Sequence, residues 1–262
     1  MIRLGTSGYS YDDWIGEFYP AGLPKTQMLD YYAQHLGATE INFTYYRMPN
    51  ARTLAAMAAK VPDDFLFTVK ATGEMTHDRT GDRALFAQFT GALQPLVEAG
   101  KFGGVLAQFP NSFRPNADNR DYLRGFRDLM GDTPMVVEFR NAGWITDETM
   151  AFLREYGLGY CCVDEPQMKG LLPPIAVATG PIGYVRFHGR NYQKWWAHDA
   201  AYERYSYSYS DAELQEWVPK ITQLNNETQT TFVFTNNHYR GQAVETVRRL
   251  KALLQAAGDP VK

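Results

Sequence analysis

Gly183-Tyr184-Val185-Arg186-Phe187-His188-Gly189-Arg190 sets bulky apolar side chains at Val185 and Phe187 against polar ones at Arg186 and His188. A period of two is that of a β-strand, whose successive side chains point to opposite faces. Val185 and Phe187 read as facing helices packed outside a sheet. Arg186 and His188 then face the axis of a barrel, as alternate residues do in a closed sheet.

Seven more short runs of β-branched, aromatic or apolar residues occur along the 262-residue chain: Ile2–Leu4, Thr39–Asn42, Phe65–Val69, Gly104–Gln108, Met135–Phe139, Leu158–Val163 and Thr231–Thr235. With Gly183–Phe187 they begin roughly 33 residues apart, the size of one βα unit. Helical patterns at 25–36, 51–60, 81–98, 118–130, 146–156 and 241–255 fill most of the gaps. Thr146 reads as an N-cap, and Ser210-Asp211-Ala212-Glu213 as a capping box. The exception is Glu165–Pro181, where Pro166, Pro173, Pro174 and Pro181 forbid a regular helix. The pattern predicts an α/β chain forming one domain over residues 1–262. That domain is a (β/α)8 TIM-like barrel lacking a regular helix between its sixth and seventh strands. A doubly wound sheet is the alternative.

Composition bounds the function. With 26 Lys+Arg against 29 Asp+Glu, a net charge of −3 and a pI near 6.0, the chain has no basic excess for general nucleic-acid or anionic-membrane binding. No apolar run approaches the roughly 20 residues that span a bilayer. Cys161 and Cys162 are adjacent, which makes neither a metal spacing nor a disulfide framework. The chain opens directly on a strand with no apolar leader, so a reducing, cytoplasmic setting is expected. The unusual number is aromatic: 15 Phe, 17 Tyr and 5 Trp, 14% of the chain.

Strand parity locates the candidate chemistry. If Ile41, Val69, Val137, Val185 and Phe187 face outward, then Glu40, Asn42, Lys70, Glu138, Arg140, Arg186 and His188 face inward. Similar phasing places Gln108, Asp164 and Asn237 inward. These residues sit at C-terminal strand ends, where barrels build their sites. Three acids (Glu40, Glu138, Asp164) thus meet three bases (Lys70, Arg140, Arg186). They form either a structural network or the polar mouth of a ligand site, and the expense of burying six charges favours the mouth. The loops that follow add Trp14, Tyr46, Arg47, Asn141, Arg190 and His238, and place seventeen aromatics on the same end of the barrel.

The motifs carry a family resemblance. Gly5-Thr6-Ser7-Gly8-Tyr9-Ser10-Tyr11, Glu40-Ile41-Asn42-Phe43-Thr44-Tyr45-Tyr46-Arg47, Gln108-Phe109-Pro110, Val137-Glu138-Phe139-Arg140-Asn141, Tyr184-Val185-Arg186-Phe187-His188-Gly189-Arg190 and Phe234-Thr235-Asn236-Asn237-His238 follow one another in order. Together they resemble the YecE-like family, domain of unknown function 72, over nearly the whole length. The resemblance implies a TIM-like barrel and no settled activity. Tyr9 stands where the family usually has Trp, a change of one aromatic for another.

No dinucleotide fingerprint, P-loop, nucleophile elbow or His-Glu-x-x-His pair occurs. The residues fit an enzyme doing acid–base chemistry on an anionic, phosphorylated, ring-containing small molecule. Glu40 or Glu138 would be the base, and His188 an acid or base if it is not simply structural. Asp164 joins the catalytic set, with Arg140 and Arg186 stabilising charge. Asn42, Arg47, Lys70, Asn141, Arg190, Asn237 and His238 would bind substrate, with Trp14 and Tyr46 as its aromatic walls. No cofactor is expected. A divalent metal on Glu40, Glu138, Asp164 and His188 is opposed by the neighbouring arginines. A metal-assisted nucleic-acid-processing barrel and a non-catalytic binding protein are the alternatives.

Overall fold

A computed structural model describes residues 1–262, Ala201 by its backbone alone. All eight expected strands form: β1 (Ile2–Ser7), β2 (Ala38–Ile41), β3 (Leu66–Lys70), β4 (Phe102–Gln108), β5 (Met135–Glu138), β6 (Gly159–Asp164), β7 (Ile182–Phe187) and β8 (Thr230–Thr235). They pair in parallel in chain order, and β1 closes the barrel on β8 through Ile2↔Thr231 to Thr6↔Thr235.

Around them run α1 (Met28–Ala33), α2 (Ala51–Ala58), α3 (Arg83–Glu98), α4 (Ala117–Met130), α5 (Asp147–Glu155), α6 (Ala201–Tyr205), α7 (Asp211–Gln215), α8 (Val218–Glu227) and α9 (Gln242–Ala256). The Thr146 hydroxyl caps α5 by accepting from Thr149 N–H at 3.1 Å, and the Ser210/Glu213 capping box opens α7. Neither helix nor strand forms between β6 and β7 among the described residues. The proline-rich crossover lies there instead, and Thr179 Oγ1 ties it to the Leu158 carbonyl at 2.7 Å.

Two apolar layers hold the barrel. Ile41, Val69, Val137, Val185 and Phe187 lie in the large core between strands and helices, as the parity requires. Inside the barrel, Ala38, Leu106, Val136, Cys161, Val163, Tyr184, Phe232 and Phe234 form a second cluster. The adjacent cysteines obey the pleat: Cys161 joins the inner cluster and Cys162 the outer core, both as free thiols. No helix of the described residues is long and apolar enough to cross a membrane.

The plug fills the lower barrel, so polar side chains can gather only above it. Gly5 makes room for this packing. A Cβ there would lie 2.0 Å from the Ala38 carbonyl oxygen and 3.0 Å from the Phe234 ring. Gly5→Ala is therefore expected to force β1 from β2 and abolish folding. A thermal melt of the variant within a few degrees of wild type would show the contact to be soft.

Candidate active site

Arg186 is the centre of the barrel mouth and is 2% exposed. Its Nη1 donates to Glu138 Oε2 at 2.6 Å and its Nη2 to Glu40 Oε1 at 2.6 Å, with Ser7 Oγ 3.2 Å from Nη2. Tyr184 OH donates to the other Glu40 oxygen at 2.6 Å, and Thr68 Oγ1 lies 2.9 Å from that hydroxyl. Arg140 Nε sits 2.6 Å from Glu138 Oε1 as an ion pair, although its N–H is not aimed well enough for a hydrogen bond. Burial would raise the Glu138 pKa, but Arg140 and Arg186 outweigh it and hold the carboxyl well below its usual range. Charges this deep persist only when each is paired and hydrogen-bonded.

His188 is fully buried and neutral. Burial, then the charge of Arg140, lowers its pKa to about 3 against the pull of Glu138. The neutral ring accounts for both its contacts: Nε2–H donates to Glu138 Oε1 at 3.0 Å, and Nδ1 accepts from Asn236 Nδ2 at 3.1 Å. With both nitrogens engaged, His188 positions Glu138 and has no free nitrogen for a ligand.

Two inward assignments are corrected. Val163 and Phe234 belong to the inner cluster, so Glu165 and Asn236 share their face while Asp164 and Asn237 point outward. Asp164 is held outside the barrel by Arg190, Tyr209 and Trp217, whose donors lie 2.6, 2.6 and 2.7 Å from its oxygens. That pairing also removes Arg190 from the mouth. Asn237 Nδ2 donates to the Tyr207 carbonyl and to Thr246 Oγ1 on α9, both at 2.9 Å.

Three further residues expected to bind substrate lie elsewhere. Trp14 is fully buried, its Nε1 donating to the His238 carbonyl at 2.6 Å. Asn141 caps the turn 142–144 through Gly143 N–H, and exposed Arg47 lies over the Phe43 ring. The four residues considered for a metal are not assembled: Asp164 faces away, and Arg186 bridges Glu40 and Glu138. Among the described residues, no group of three or more His, Cys, Asp or Glu side chains is placed to hold a metal ion.

What opens to solvent is a cavity of about 610 Å³ continuous with one of about 320 Å³; Tyr45, Tyr46, Lys70, Gln108, Arg140 and Tyr205 line both. Of the sites expected from sequence, Glu40, Asn42, Tyr46, Lys70, Arg140, Arg186 and His238 line this space. Asn42 Oδ1 and His238 Nδ1 are buried at its edge without a hydrogen-bond partner. Eight of the seventeen loop aromatics line the cavity; others, such as Trp144 and Tyr209, are buried in packing. Gln108, phased inward, and Tyr205, among the loop aromatics, are where the sequence reading put them, whereas Glu165, His77 and Asn236 were missing from the expected site. Correct phasing of β6 and β8 would have found Glu165 and Asn236.

Lys70 ends β3 with its Nζ in the cavity, donating to Gln108 Oε1 at 2.9 Å and lying 4.6 Å from the Tyr45 ring centre. No carboxylate pairs with it among the described residues. Burial, then Arg186, lowers its pKa to about 8, with Glu138 and Glu40 opposing. Glu165, whose Oε1 accepts Leu172 N–H at 2.8 Å and whose Oε2 lies 3.3 Å from Arg140 Nη1, is pushed up by burial against the pull of Arg140.

The comparisons agree with this fold. A family profile described as "Protein of unknown function DUF72" matches residues 3–262. The chain belongs to the DUF72 family. It is 32% identical over 270 residues to UPF0759 protein YunF of Bacillus subtilis (strain 168), covering 97% of this chain and 95% of that one. A DUF72 family crystal structure from Thermotoga maritima superposes with a TM-score of 0.90 at 38% identity, over 97% of this chain and 99% of the other. One from Enterococcus faecalis gives 0.87 at 28% identity, over 97% and 96%.

The charge states set two stability tests. Arg186→Met strands two buried carboxylates and is expected to cost about 3–5 kcal/mol in urea unfolding; a loss near zero would contradict the clamp. Lys70 has the opposite sign. Its folded pKa of about 8 lies below the ordinary 10.5, so the fold disfavours the ammonium, and that cost is relieved as pH rises from 8 to 10.5. Lys70→Met should be more stable than wild type at neutral pH, with the gap narrowing at alkaline pH. A gap that is absent or independent of pH contradicts the depressed pKa.

Proposed function

We propose that the mouth is the active site of an enzyme acting on an anionic, ring-containing small molecule, a phosphorylated one fitting best. The observation that carries this reading is the cation left over by internal pairing. Arg186 engages Glu40 and Glu138, and Arg140 engages Glu138 and Glu165, while Lys70 faces open space with no carboxylate partner among the described residues. An anion in the cavity would give Lys70 the partner it lacks, and a guanidinium beside an ammonium suits a phosphate or carboxylate. Tyr45, Tyr46, Tyr202 and Tyr205 offer faces for a ring, with Tyr46 85% exposed and Tyr202 43% exposed at the rim. Asn42 and His238 line the same space and would offer polar contacts to the ligand's hydroxyl or amino groups.

Acid–base work falls to Lys70 and Glu165. Each has a pKa displaced toward neutrality and each lines the cavity. Glu138 and His188 instead hold Arg140 and Arg186 in place. A cytoplasmic setting suits the unpaired buried thiols.

Titration calorimetry with inorganic phosphate and phenyl phosphate tests the reading. Phenyl phosphate should bind more tightly than phosphate, and Arg140→Gln should weaken both by roughly tenfold to a hundredfold, the worth of one charge-assisted hydrogen bond. Equal affinity for the two ligands, or full affinity in the variant, would overturn it.

A further inference from the structure

Lys70 is an unusual anion-binding lysine. Such residues commonly stand in solvent or beside a carboxylate, whereas this one is drawn under the mouth beside two guanidinium groups. Its amine has one acceptor, the neutral Gln108 amide, and one aromatic face. The charged groups lining the two continuous cavities are Glu40, Arg186, Arg140, Glu165 and, at the rim, Arg204, with His77 and His238 alongside, and Glu40 is taken up by Arg186 and Tyr184. Arg140 turns one nitrogen to Glu138 and another to Glu165, so none of these carboxylates is left to hold the lysine as an ammonium.

We propose that Lys70 is the covalent nucleophile of this site, forming a Schiff base with the aldehyde or ketone group of an anionic carbonyl compound. The proposal rests on the mouth holding an anion and names the class of that ligand. In the first step the free amine of Lys70 attacks the carbonyl carbon. An N–C bond forms, and the C=O π pair moves to oxygen. A proton passes from nitrogen to that oxygen, giving the carbinolamine. A hydronium proton from solvent in the open cavity then passes to the hydroxyl, which leaves as water while the nitrogen lone pair closes the C=N bond. The products are a protonated imine and water, so atoms and charge balance. Burial favours the free amine that Lys70 needs. The iminium then carries the positive charge that the ammonium would have carried, and Arg140 stays available for the compound's anionic group.

The test uses the full chain with pyridoxal 5′-phosphate as a ring-bearing anionic aldehyde, pyridoxal as its uncharged-tail control and pyruvate as the carboxylate arm. Borohydride reduction fixes any imine, and peptide mass mapping finds it. At neutral pH Lys70 should carry about tenfold more reduced adduct than any other lysine, since a lowered pKa enriches the free amine. Pyridoxal should label it several-fold less, and inorganic phosphate should compete. Adduct on Lys70 with pyruvate but not with the phosphate probe would assign a carboxylate-bearing carbonyl compound. Lys70→Arg should lose the adduct. Label spread over exposed lysines while phosphate still binds at the mouth would overturn the nucleophile alone; no phosphate binding and no Lys70 adduct would overturn the anion site as well.

Discussion

Arg186 is the interaction on which the mouth depends. One guanidinium planted on β7 joins carboxylates from β2 and β5 across the barrel, and Tyr184 beneath it secures the first of them. Burying these ions in isolation would cost several kcal/mol each, so they are tolerable only as a paired and hydrogen-bonded set. Below the set lies the apolar plug and above it the open cavity. The clamp is thus the floor of the site.

Pairing at the floor decides what is free above it. Because His188 is buried beside Arg140, it stays neutral and can donate to Glu138 while accepting from Asn236. Arg140 is drawn down and its other side reaches Glu165. Lys70 is left as a cation with an amide and a ring for company, in a place that destabilises its charge. A group that costs the fold stability and opens into a cavity is a mark of function, since selection for stability alone would replace it.

The fold was legible because eight short strands and their intervals are local features, and the gap of prolines marked the one missing helix. Much of the site was legible for the same reason: a period of two fixes Glu40, Lys70, Glu138, Arg140 and Arg186 once one neighbour's face is known. The errors lie where continuous apolar runs hide the phase. Leu158–Val163 and Thr231–Thr235 are hydrophobic on both faces, so nothing local told Asp164 from Glu165 or Asn237 from Asn236. One-residue slips there moved a side chain from axis to exterior. The aromatics failed for another reason. Whether a loop ring faces a ligand or packs inward, as Trp144 does, is settled by tertiary contacts that adjacent sequence does not encode.

The charge assignment of the clamp is the central claim, and His188 reports it. Nitrogen-15 NMR of the imidazole, followed from about pH 8 down to about pH 5, reads its protonation and tautomer directly. A ring that stays neutral throughout, with the proton on Nε2, is the result that a pKa near 3 predicts. Titration with a midpoint near the ordinary value of about 6.5, or a proton resting on Nδ1, would mean that His188 is not a buried neutral donor to Glu138 beside Arg140, and the account would fail at its floor.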